Sequence, residues 1–464
     1  MRLGVLSTSW PSVLRPWAGH FVADLGEALA RSGVEVCAVV PWFGAGGALE
    51  ARPGVTLAAA PVAGPPRSPA GDAALGVTML RALRERAARE SVDLWLCHWW
   101  PTGWAVPRGA RRLMVLHGSD VDLLERLPRA VGRRLAPAEE TVAVAETLAW
   151  RHADRLGGAR PTVCRLGARS AADEGEAPPP AFAQGWLDAS GPRVLTVGRA
   201  APGKGLAVAR AAARRLDGVA WLTVTPALGA GPRQIEQLIR SADLVVVPSE
   251  GGPGLPSEGS PHVITQALVA GVPVLGGPNA AVRAAVRIAG QAEVCDAGPD
   301  ALAEAVSSAL EPSRRAALAK AARRAGAGLA WGAVLPAWLR AIEGARSAPA
   351  GLAGLSGGGW PSSLPRPPAS HDPSSSAAAS ADASSASRRP SPWSVAPFEG
   401  RGPRSPLAAA RVGRGVCGGS PDACKPFATG DVARRPSVEA VHREVVVGHV
   451  RPPVVEPEVV AGDR

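Results

Sequence analysis

Residues Ser257 to Val274 read as a loop, a helix, a stop and a strand in direct succession. Glu258 and Gly259 sit in a polar loop. Pro261 falls in the first turn of an apolar-periodic helix, where a missing N–H costs nothing. Gly271-Val272-Pro273 ends that helix and feeds a short strand, Pro273 to Leu275. The loop opening such a helix offers free backbone N–H groups and the positive end of the helix dipole, which suit a phosphate or sugar hydroxyls. Glu258 beside it can accept hydrogen bonds from a polyol. Gln266, eight positions after Glu258, lies about two turns further on, near the same face.

The same pattern opens the chain. Arg2 to Ser7 reads as a strand, followed by a loop through Trp10, Trp17 and Gly19. His20 to Ser32 carries Phe21, Val22, Leu25, Ala28 and Leu29 at helical spacing, and Val34 to Val40 is a second strand. A strand–loop–helix–strand unit predicts a parallel, doubly wound sheet. Residues 41–76 are rich in Gly, Pro and Ala and give no assignment. A basic helix is expected over Val77 to Glu90, and strands over Val92 to His98, Arg112 to Leu116 and Thr141 to Ala145. The acidic, Pro-rich run within Ala171 to Pro192 reads as a linker. Beyond it a second α/β unit begins with strand Arg193 to Val197, loop Gly198 to Gly205 and helix Leu206 to Leu216. Strands Val219 to Val224 and Leu244 to Val247 flank a helix from Pro232 to Ser241, and amphipathic helices run on to Ala345. After about Pro349 the Ser/Ala/Pro-rich sequence loses periodicity and reads as a disordered tail.

Composition narrows the partners. The chain has 464 residues, 46% of them hydrophobic, enough for two domains with their own cores. A formal net charge of +11 favours anionic partners. No dense Lys/Arg block is present, so most of that charge reads as ordinary helix surface and no nucleic acid is expected. The six cysteines are scattered with no Cys-x-x-Cys, which indicates neither a zinc site nor a disulfide framework and fits a reducing cytoplasm. The opening strand is too short for a signal sequence, and no run of 18 apolar residues occurs.

With these blocks laid out, Glu258-Gly259-x-Pro261 through Ala267-x-x-Ala270-Gly271-x-Pro273-Val274 resembles the signature of retaining glycosyltransferases of family 4. Three further blocks agree in order: Val197-Gly198-Arg199 with Lys204-Gly205, Ala242-Asp243 to Pro248-Ser249, and His117-Gly118-x-Asp120. Leu329-Ala330-Trp331 to Ile342 is similar to the family's terminal helix. The resemblance covers roughly residues 1–345. It implies the GT-B fold, α/β with two Rossmann-like doubly wound domains facing across a cleft, plus the disordered C-terminal tail. The implied domains are residues 1–180 on the acceptor side, a linker over 181–192, a donor domain over 193–328, a helix over 329–346 crossing back to the first domain, and the tail over 347–464.

The resemblance also implies an activity: transfer of a sugar from a nucleotide-diphosphate donor to a glycan or lipid-linked acceptor, in cell-envelope or polysaccharide synthesis. Loss of the diphosphate needs positive charge, for which Arg199 and Lys204 are the candidates. Glu258 is expected to hold the donor sugar's hydroxyls and His117 to contact the same sugar. Gly19, Gly259, Ser260, Pro261, His262 and Gln266 complete the expected donor site. Trp99, Trp100 and Asp120 are expected on the acceptor side. No metal or cofactor is expected, the nucleotide sugar being a substrate. Asp120-Val121-Asp122 mimics a metal-binding pair but sits where a helix begins, so capping is the better reading. Gly198-x-x-x-x-Gly203-Lys204 matches most of a Walker A loop, yet Gly205 stands where the Mg²⁺-binding Ser or Thr belongs.

Two departures stand out. The family pattern has a second Glu where this chain has Gln266, which keeps one acceptor and swaps the other for a donor. Residues 216–242 look one strand–helix step short. Together they raise the alternative of a degenerate sugar-nucleotide-binding protein with little catalysis. Basic helices such as Arg81 to Arg89 and Arg126 to Arg134 allow peripheral contact with anionic membrane at its inner face.

Overall fold

Two runs of buried, β-branched sequence form two separate parallel sheets, as the continuous apolar character of parallel strands requires. The computed structural model describes residues 1–44, 47–63, 73–135, 140–170, 177–251, 259, 261–294, 296 and 298–348. Glu258, Ser260, the acidic run 171–176, the segment 252–256, Cys295 and the tail from 349 lie outside the described residues. The described residues all fall in one compact unit that includes Met1–Leu364.

The first sheet uses β1 (Arg2–Leu6), β2 (Glu35–Trp42), β3 (Val55–Pro61), β4 (Leu94–His98), β5 (Arg112–Leu116), β6 (Thr141–Ala143) and β7 (Thr162–Val163) in the order β3-β2-β1-β4-β5-β6-β7. Every pairing is parallel. Helices α1 (His20–Arg31), α2 (Ala73–Ala87), α3 (Ser119–Arg126), α4 (Arg129–Leu135) and α5 (Glu146–Leu156) connect the strands. Helix α1 buries Val22, Leu25, Ala28 and Leu29 against the sheet, each large side chain contributing about 1.5–3 kcal/mol of transfer free energy. The edge strand β3 occupies part of the stretch that gave no assignment. Half of its run Val55-Thr56-Leu57-Ala58-Ala59-Ala60 is Ala, and it is held in place by pairing along its whole length with β2. The expected basic helix begins earlier than Val77, at Ala73, and the expected Arg126 to Arg134 helix is broken in two at Pro128.

The second sheet follows α6 (Gln184–Leu187) and uses β8 (Arg193–Val197), β9 (Ala220–Val224), β10 (Leu244–Val247), β11 (Val274–Gly276) and β12 (Ala292–Glu293) in the order β12-β11-β10-β8-β9. Trp186 of α6 is 1% exposed, and its indole N–H donates to the carbonyls of Val194 and Ala220. That ties the stretch before β8 to the second core. Helices α7 (Leu206–Ala213), α8 (Pro232–Ser241), α9 (His262–Val269), α10 (Ala280–Ile288), α11 (Pro299–Leu310) and α12 (Pro312–Ala327) cover the sheet.

Each sheet reverses its strand order once, at β1/β4 and at β8/β10. Such a switch point opens a crevice beyond the carboxyl ends of the strands. The chain passes between the sheets twice, side by side. Ala168 bridges Ala330, with Ala168 N–H donating to Leu329 and Trp331 N–H donating to Ala168. Helix α13 (Trp331–Ser347) then packs Trp331, Val334, Trp338 and Ile342 into the core of the first sheet. Among the described residues, no helix is long and apolar enough to cross a membrane.

Candidate functional site

Three loops from the carboxyl edges of the two sheets meet in one place. The first opens α1, and Gly19 caps that helix with φ +65° and no side-chain cap. The second follows β5 and carries His117 and Gly118. The third opens α9 and carries Gly259, Pro261 and His262. Contact between the second and third is close: a Cβ on Gly259 would stand 2.3 Å from Gly118 N and 2.8 Å from its Cα. Only a glycine lets the two backbones approach this far.

Histidines fill the junction. His20 Nε2 lies 3.1 Å from His262 Nδ1, and His262 Nε2 lies 2.9 Å from the carbonyl of Gly167, so a helix of each sheet is joined to the crossing segment. His117 Nε2 lies 3.0 Å from Nδ1 of His98, the last residue of β4. The Phe21 ring stands between the two pairs, 5.1 Å from His117 and 6.4 Å from His262. Burial pushes the imidazoles of His117 and His262 down to about 4, with His20 adding to the effect on His262. His98 is pushed well below the usual range by burial and by His117. These rings are neutral near pH 7.

The loop after β8 lies at the same edge of its sheet as the loop after β10. Glu250 N–H donates to the Gly203 carbonyl at 2.8 Å, and a Cβ on Gly205, at φ +65°, would stand 1.9 Å from the Pro248 carbonyl oxygen. Gly205 caps α7 without a side chain. Lys204 is half-buried in this loop and Arg199 is exposed. The N-termini of α1, α7 and α9 therefore all lack side-chain caps, leaving backbone donors for a ligand.

Other expected site residues point elsewhere. Asp120 is fully buried, and its carboxylate accepts the backbone N–H groups of His117 at 2.8 and 3.0 Å and of Val121 at 3.0 Å. Burial pushes that carboxyl up to about 7 against these bonds. It shapes the His117 turn from within the core. Trp100 is 2% exposed, with its indole N–H on the Asp120 carbonyl, so it is core and not an acceptor platform. Trp99 is half-buried and takes φ +77°, the left-handed region, unlike every other described residue that is not glycine. Such strain concentrates at functional turns. Gln266 is 7% exposed and donates its amide to Glu236 of α8 at 3.5 Å. These two line a small surface pocket with Arg169, Ile239, Arg240 and Ala270. Among the described residues, no group of three or more His, Cys, Asp or Glu is placed to hold a metal ion.

Sequence reading missed the histidine pairs and an ion cluster beneath α1. Arg169, just past the crossing, donates to Asp24 at 2.7 Å and Glu27 at 2.8 Å, and Arg52 pairs with the same carboxylates at 3.2 and 3.5 Å. All four side chains are less than a tenth exposed. Two carboxylates on the buried face of an otherwise apolar helix were the available signal.

The two facing parallel sheets, the doubled crossing and the returning terminal helix define a GT-B fold. A family model described as Glycosyltransferase Family 4 matches residues 18–167, and one described as Glycosyl transferases group 1 matches residues 223–325. The chain belongs to this group 1 and family 4 type of glycosyltransferase. Among curated proteins, none matches it. Solved structures share its fold. Sucrose-phosphate synthase from Thermosynechococcus elongatus superposes with a TM-score of 0.55 at 19% identity, over 74% of this chain and 100% of that one. A structure described as trehalose-6-phosphate from E. coli bound with UDP-2-fluoro glucose gives 0.56 at 13%, over 74% and 99%. HepE of Anabaena in complex with UDP-glucose gives 0.52 at 16%, over 74% and 98%.

Proposed function

We propose that this chain is a retaining glycosyltransferase that moves a sugar from a nucleotide-diphosphate donor to a glycan or lipid-linked acceptor. The observation that carries the reading is the meeting of the His117, α1 and α9 loops across the two switch-point edges. Uncapped helix N-termini there suit a diphosphate, and neutral imidazoles suit a sugar. Arg199 and Lys204, on the loop after β8, stabilise the leaving diphosphate as the C1–O bond breaks. His117 orients the donor sugar. Glu258, next to Gly259, holds its hydroxyls and steadies positive charge developing at C1. The acceptor approaches from the first sheet's side. The two solved structures carrying a UDP-sugar in the same fold support a nucleotide-sugar donor.

The setting we infer is polysaccharide or envelope synthesis in the cytoplasm or at the inner face of its membrane. Free buried thiols at Cys37, Cys97 and Cys164 fit a reducing compartment. The test is a panel of UDP-, GDP- and ADP-sugars, read for binding, slow donor hydrolysis and the anomeric configuration of the product. Turnover with the donor's configuration kept supports the reading; inversion removes the retaining assignment, and no binding to any donor removes the whole. The second reading, a binding protein with little catalysis, is favoured by the Gln266 amide facing Glu236 where the family pattern has a carboxylate. Donor binding with no hydrolysis or transfer is its signature.

A further inference from the structure

We propose that His98 is a positioning residue that fixes the tautomer of His117, so that His117 presents an Nδ1–H donor toward the cleft. The role given to that donor rests on the glycosyl-transfer reading above, while the tautomer itself does not.

His98 ends β4 and His117 follows β5, and the two strands pair in register with His98 opposite Val115. The rings lie 5.2 Å apart at 22°, with His98 Nδ1 and His117 Nε2 at 3.0 Å. One proton lies between those two nitrogens, and each ring, being neutral, carries one proton in all. His98 is 2% exposed, and its other nitrogen, Nε2, is buried with no hydrogen-bond partner. If His117 donated from Nε2, the His98 proton would sit on that orphaned Nε2. A buried N–H without an acceptor costs the full desolvation of a donor, and such groups are rarer than under-used acceptors. The favoured arrangement puts the His98 proton on Nδ1, donating to His117 Nε2. The His117 proton is then on Nδ1. No hydrogen bond among the described residues engages that atom, and it is not among the buried unpartnered atoms.

A donor at this position suits an oxygen of the incoming sugar. The downward push on both imidazoles keeps the arrangement intact at neutral pH. The other titratable groups packed nearby are otherwise occupied: Asp120 accepts backbone N–H groups, and His20 and His262, on the other side of the Phe21 ring, bond each other.

Long-range ¹H–¹⁵N NMR of the histidine rings in the full chain, without donor, tests the tautomer directly. His117 is expected to show a protonated, pyrrole-type Nδ1 and an unprotonated, pyridine-type Nε2 at pH 7. A protonated Nε2 on His117 overturns the proposal even if the chain is a glycosyltransferase. With a donor identified from the panel, His98→Leu is expected to lower kcat by about 10- to 100-fold with little change in KM. His98→Asn, whose amide still donates to Nε2, is expected to recover most of that rate and to keep the Nδ1–H signature. Equal losses in both variants, with wild-type melting curves, contradict a tautomer-setting role. If His98→Leu does not fold, the wild-type and His98→Asn spectra decide. Absence of all transfer activity alongside the expected NMR signature removes the enzymatic reading and leaves the tautomer assignment standing.

Discussion

At the residue scale, the candidate site depends on glycines that admit backbone and on side chains held by non-local partners. Gly205 was legible as a loop residue, and the structure gives the reason for it: its positive φ and the Pro248 carbonyl leave no room for a Cβ. Gly205→Ala is expected to destabilise the chain by about 1–3 kcal/mol and to weaken donor binding by displacing Lys204, measured by denaturant melts and calorimetry. Unchanged stability and affinity would mean the loop tolerates the shift. Gln266 was singled out as a departure from the family pattern, but the partner it found, Glu236, lies 30 positions earlier on another helix. Gln266→Glu sets a second carboxylate against Glu236. At pH 7 it is expected to lower the unfolding midpoint, with the loss relieved toward pH 4 as protonation removes the repulsion. An equal loss at both pH values would assign it to packing instead.

Among the elements, strands and helices with strong period were readable and those held by neighbours were not. β1, β5 and α1 follow from alternation of apolar runs, glycines and a 3.6-residue stripe. β3 is Ala-rich and gains its structure from pairing with β2, so residues 41–76 gave no assignment from local pattern. The three blocks around Gly19, His117 and Gly259 to His262 were legible because each is a loop between strand and helix. Their meeting follows from the family resemblance and not from local pattern, and the contact that joins them, between His20 and His262, spans 242 positions. Arg169 makes the same point: it looks like one more basic residue, yet it ties the crossing segment to α1 through two buried carboxylates. Arg169→Ala leaves Asp24 and Glu27 with less compensating charge and is expected to cost about 3–5 kcal/mol of stability, read by chemical denaturation. A cost below about 1 kcal/mol would show Arg52, together with Arg31, which also pairs with Glu27, to be sufficient partners.

For the whole molecule, the buried histidines set a pH dependence. His117 and His262 fall from the usual 6.5 to about 4, and His98 moves the same way. Between pH 6.5 and 4 the unfolded chain therefore binds more protons at these rings than the folded one. Their contribution is complete above about pH 6.5 and is lost as pH falls toward 4. Asp120, raised from 3.8 to about 7, acts in the opposite sense, its folded form being favoured at low pH. Three groups against one predict a net fall in melting temperature from pH 6.5 to 4.5, and His262→Phe is expected to flatten it. A melting temperature that rises over this interval would contradict the burial of these rings. Donor turnover in wild type and in Lys204→Ala decides whether the junction of the two sheets is a glycosyl-transfer site. A glycosyl-transfer site gives measurable kcat/KM with one class of nucleotide sugar and a fall of about 10²–10³-fold in the variant. Equal turnover in both, or none in either across all nucleotide sugars, would contradict it.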